Sequence, residues 1–133
     1  MISQNSELFQ LMRLKCERRG KNILNVESVA LSMRISFGLA DATPLLAAAA
    51  NTFYFVKSMH WSAAVSITGN PTLRATDLGG GSGGNIDIFI LTGLTSGIEY
   101  FGLECSSLTY HVNTFSAGSF ILIGEVYKIT HSA

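Results

Sequence analysis

Apolar and polar positions change their period once along this chain, between residues 20 and 29. Before Gly20, Leu8, Phe9, Leu11, Met12 and Cys16 recur at helical spacing with Arg13, Glu17 and Arg18 beside them, which predicts a short amphipathic helix over Ser6 to Arg19. Ser6 is an N-cap by type, although Phe9 stands where a capping box needs Glu or Gln, and Gly20 is placed as a C-terminal stop. The same stretch also reads as an extended arm that orders only on a neighbour. From Val29 the period becomes two: Val29, Leu31, Met33, Ile35 and Phe37 alternate with Ala30, Ser32, Arg34 and Ser36, so one face of a strand is apolar.

The rest of the chain continues in strands. Asp41, Thr43 and Pro44 mark a turn, and the proline excludes a central strand there. Leu45 to Ala50 reads as a short helix on alanine propensity or as a small-residue strand. Thr52 to Lys57 is β-branched and aromatic, and His60 to Ile67 alternates with Trp61, Ala63, Val65 and Ile67 on one face. Thr72 to Thr76, Ile86 to Leu91, Ile98 to Cys105, Ser107 to Val112 and Ser119 to Thr130 follow, with turn residues at Gly69 to Pro71, Gly79 to Asn85 and Thr92 to Gly97. About eight punctuated strands predict a mainly β chain, an antiparallel β-sandwich or jelly roll behind a short helix or arm. The division falls at residues 1–28 for the arm and 29–133 for the β domain.

Charge divides the chain at the same place. Residues 1–28 carry Arg13, Lys15, Arg18, Arg19 and Lys21 against Glu7, Glu17 and Glu27, a net +2, while residues 29–133 carry four basic and six acidic groups, a net −2. Only 14% of residues are charged, well below the roughly 25% of an ordinary domain, so the surface lacks the usual devices against association. A permanent partner is the expected remedy. Five basic groups interrupted by Glu17, with no aromatics interleaved after Phe9, disfavour nucleic acid and favour a solvated helix face or docking on an acidic protein patch. No run of 18 apolar residues predicts a membrane span, and the polar start of the chain lacks the layout of a secretory signal, so assembly in a cytoplasm is expected.

No motif carries chemistry. Gly79, Gly81 and Gly84 spell a dinucleotide loop, but a strand pattern follows where a helix is needed. Asp77, Asn85 and Asp87 are the only sensible calcium ligands, and one repeat copy with Asn85 in place of aspartate argues against metal. His60, His111 and His131 lack metal or catalytic spacing, Cys16 and Cys105 form no framework, and the serines lack a nucleophile elbow. No catalytic residue, cofactor or metal is therefore expected, and the chain does not read as an enzyme. Tyr54, Trp61, Tyr100, Tyr110 and Tyr127 are either core or a sugar-stacking platform, so a carbohydrate- or receptor-binding β-sandwich is the alternative function.

An arm over Met1 to Ser28 followed by a compact, charge-poor β domain over Val29 to Ile129 resembles the small virion proteins of tailed bacteriophages, in particular capsid decoration or cement proteins. That resemblance implies a sandwich or jelly roll in the virion, often a homotrimer, lying across joints between subunits of the major capsid protein or another virion protein. It implies that Phe9, Met12, Arg13, Arg18 and Arg19 anchor the arm to a neighbour. Phe89, Leu91, Phe101 and Leu103 would then supply an oligomer interface, and strand edges hidden there would account for the scarcity of protective lysines.

Overall fold

In the computed structural model the described residues are 3–37, 42–69, 71–77, 84–90, 96–111 and 117–133. They form helix α1 (Glu7–Arg18) and strands β1 (Ile23–Phe37), β2 (Ala42–Leu46), β3 (Thr52–Thr68), β4 (Thr72–Thr76), β5 (Asn85–Ile90), β6 (Ser96–Cys105), β7 (Ser107–His111) and β8 (Ala117–His131). Two four-stranded antiparallel sheets result, ordered β1-β8-β3-β6 and β2-β7-β4-β5. The chain is mainly β, as its alternation predicts. Pairs β1·β8, β2·β7, β3·β6 and β4·β5 are nested like the rungs of one long hairpin, which folds over so that β8 also borders β3 and β7 borders β4. That nested order is the jelly-roll form of a sandwich. No helix among the described residues is long and apolar enough to cross a membrane.

The main core lies between the sheets. Leu31, Tyr54, Val56, Met59, Trp61, Phe120, Leu122 and Val126 meet Leu46, Leu73, Ala75 and Leu108 there. Trp61 packs at 60° to Phe120 with ring centroids 5.1 Å apart, a tilted contact that adds to burial of about 1.5–3 kcal/mol per large side chain. Gly124 belongs to this inner row because a Cβ there would stand 2.8 Å from Leu31 Cδ2.

Strand bounds depart from the sequence pattern at points with physical causes. β1 begins at Ile23, six residues before Val29, so residues 23–28 belong to the sheet and not to an arm. Thr52 to Lys57 and His60 to Ile67 are one strand, β3, whose register shifts between Val56 and Ser58. The shift exchanges the faces, bringing Tyr54 and Val56 inward on one side of it and Met59 and Trp61 inward on the other. A second shift, between Ala63 and Val65, leaves Val65 exposed although alternation places it with Trp61. Pro44 stands within β2 and not in a turn, tolerated because β2 is an edge strand with a register shift beside it. Leu45 and Leu46 complete that strand, whereas residues 47–50 are irregular and exposed, tied to the core by Tyr54 Oη donating to the Ala47 carbonyl at 2.7 Å.

Candidate functional site

Helix α1 is bounded by local chemistry. The Ser6 hydroxyl accepts from the Phe9 amide at 3.1 Å. At the other end the Lys21 amide donates to the Cys16 carbonyl and the Gly20 amide to that of Glu17, a Schellman closure made possible by the positive φ of Gly20, 70°. The helix buries Phe9, Met12 and Cys16 against Val26, Phe53 and Ile129, with Leu8, Ile23, Phe55 and Tyr127 at the margin. These partners stand on the face of β1-β8-β3-β6 that points away from the sandwich core. A second, smaller core thus fixes the helix across one end of that sheet.

This placement overturns the arm reading of Phe9 and Met12: both are buried in the chain's own second core and have no surface to offer a neighbour. A 12-residue helix is marginal alone, so the apolar stripe finds its partner in the outer sheet face. Leu11 and Leu14 are the helix's exposed leucines. Arg13 is exposed and lies 3.9 Å from Glu17 one turn on. Arg18 is also exposed.

Arg19 is held from two sides. Its Nη2 lies 2.7 Å from Glu104 Oε2, and its guanidinium stacks 4.0 Å from the centroid of Phe53. Lys15 Nζ reaches the other Glu104 oxygen at 2.5 Å and stands over the Phe55 ring, 5.9 Å from its centroid. Glu104, on β6, is opposite Phe55 in the ladder and keeps only 12% of its side chain exposed. One carboxylate therefore positions two cations on two aromatic rings.

Two depressions adjoin this group and share Arg19. The first, about 250 Å³, is lined by Lys15, Arg18, Arg19 and Glu104. The second, about 300 Å³, is lined by Arg19, Lys21, Thr52, Phe53, Asp77, Cys105, Ser106 and His131. Hydrogen bonds hold part of its lining: Ser106 Oγ donates to Asp77 Oδ2 at 3.1 Å, Asp77 has a left-handed φ of 52°, and His131 Nδ1 donates to the Ser132 carbonyl at 2.7 Å. Burial pushes the Cys105 thiol up to about 12. Burial raises Cys16 too, against the lowering effect of Arg19, so neither thiol supplies a thiolate at neutral pH.

The remaining candidates separate. Leu103, on β6, is half-buried and packs against the main core. Phe89 is on β5 and Phe101 on β6, while Leu91 lies outside the described residues. Asp77 follows β4, and Asn85 and Asp87 on β5 pair with Thr76 and Arg74; among the described residues no three His, Cys, Asp or Glu groups converge for a metal. Tyr54 and Trp61 are core residues, and Tyr110 and Tyr127 are half-buried against the two cores, so these four form no stacking platform. The exposed apolar positions on β8 are Ile121 and Ile123, which line a depression of about 410 Å³ with His60, Trp61, Ser62 and Gly97. Glu104 and Phe53, the positioning residues, have no distinguishing signal in the sequence: they are single members of ordinary strand patterns, distant in the chain from Arg19. Comparison with protein-family models and with curated protein sequences finds no match.

Proposed function

We propose that this protein is a virion structural protein, a capsid decoration protein that bridges subunits of the shell. The observation that carries the reading is the nested jelly-roll strand order, a form that recurs in viral capsid domains, on a chain with only 14% charged residues. Ile121 and Ile123, left uncovered by α1 on the outer sheet face, support an assembled state, since apolar side chains grouped beside a depression mark contact surfaces. Bridging needs no bond chemistry, only modest contacts repeated by symmetry. A homotrimer is the assembly favoured in this reading.

The test is co-sedimentation of the purified full chain with intact expanded capsids, accompanied by light scattering on the free chain. Saturable binding at a fixed ratio to shell subunits is expected. A chain that stays in the supernatant and remains monomeric at high concentration would sink the proposal.

A further inference from the structure

We infer that the paired depressions around Arg19 form a docking site for a carboxylate-rich segment of a partner protein. The inference rests on the assembly reading only in taking the occupant to be protein. Its first support is a charge imbalance. Lys15 and Arg19 share the single carboxylate of Glu104, and among the described residues neither Arg18 nor Lys21 has an ion-pair partner. Four cations therefore face one positioning carboxylate and Asp77, leaving the cluster positive.

The second support is preorganisation. Arg19 is clamped between Glu104 and Phe53, and Lys15 between Glu104 and Phe55, so little side-chain freedom remains to be lost on binding. The guanidinium uses one nitrogen on Glu104 and retains further donors, in the planar arrangement that suits carboxylates. Shape gives the third. Because Arg19 lines both depressions, an occupant reaching from one to the other past it is extended, with one acidic group toward Arg18 and another toward Lys21. Nucleic acid fits less well: the Phe53 face is already covered by a guanidinium and Phe55 lies under an ammonium, so neither ring is open to stack a base.

Fluorescence anisotropy of a labelled hexaglutamate peptide with the full chain tests this directly. Binding that weakens steeply with added salt is expected. Arg18→Ala combined with Lys21→Ala, both outside the two cores, should weaken it roughly ten-fold, whereas Lys57→Ala, a surface cation outside the cluster, should change it by less than about two-fold. Absence of hexaglutamate binding, or binding indifferent to the double substitution, overturns the inference. So does tighter binding of an oligothymidylate of equal charge, which would make this a phosphate site. If the peptide does not bind but the chain still sediments with capsids, the docking site fails and the proposed function stands; the reverse result separates them the other way.

Discussion

Replacing Met12 by alanine tests whether the N-terminal helix belongs to this molecule or to a partner. Met12 has no exposed surface and sits between Phe9 and Cys16 in the second core. Truncating a buried methionine to alanine costs about 2–5 kcal/mol, with the spread set by how far the site collapses. Here the loss has a ceiling, because the helix can leave the sheet while the sandwich stays folded. Burial of Phe9 and Met12 supplies about 3–6 kcal/mol, and ordering a helix that is marginal alone offsets part of it. We therefore expect a loss of about 2–3 kcal/mol, read as a lower urea midpoint, with the amides of residues 9–18 losing exchange protection before those of β3 and β8. Trp61, the single tryptophan, lies in the other core and reports the sandwich separately. Leu11→Ala, on the same helix but 45% exposed, should change stability by less than about 0.5 kcal/mol. Equal, negligible effects at both positions, with helix amides exchanging as in an unstructured chain, would refute docking of α1 and dissolve the preorganised cluster with it.

Glu104→Gln should cost about 1–2 kcal/mol, since it strands two half-buried cations, and a double-mutant cycle with Arg19→Ala should show coupling that added salt only partly removes; additivity would mean the pair contributes nothing. Gly118→Ala should destabilise by roughly 2–4 kcal/mol in thermal or urea unfolding, because the φ of 113° is hostile to a side chain and a Cβ would fall 2.5 Å from the Ser66 carbonyl oxygen; an unchanged midpoint would contradict that backbone. Stability should be full below pH 9 and fall as pH rises toward about 12: the folded Cys105 thiol holds its proton up to about 12, whereas the unfolded thiol ionises near 9.0, so alkali favours the unfolded chain. A urea midpoint flat across that interval would refute the burial of Cys105. A thiol reagent at neutral pH should modify Cys16 and Cys105 only after unfolding.

Periodicity alone determines a good deal here. The alternation from Val29 to Phe37, the run from Ser119 to Thr130 and the turn residues between strands mark a mainly β chain, because strand side chains alternate between an apolar core and a polar face. Ser6 and Gly20 likewise bound α1, since capping is local chemistry. Register and partnership are different quantities. Register shifts within β3 exchange faces mid-strand, so alternation misplaced Val65 and divided one strand into two. Pro44 rightly excludes a central strand but misdirects as a turn signal, since only the position of β2 at a sheet edge tells that a proline is tolerated within it.

The basic segment shows the same limit for function. Its charges are plain in the sequence, yet the sequence leaves open whether the apolar stripe beside them faces a neighbour or this chain's own sheet. Tertiary structure decided it by setting Val26, Phe53 and Ile129 on one outer face and Glu104 beside them, residues that no local spacing connects. Helix and strand patterns arise from neighbours in the chain, whereas this cluster arises from strands that meet only when the hairpin folds over on itself.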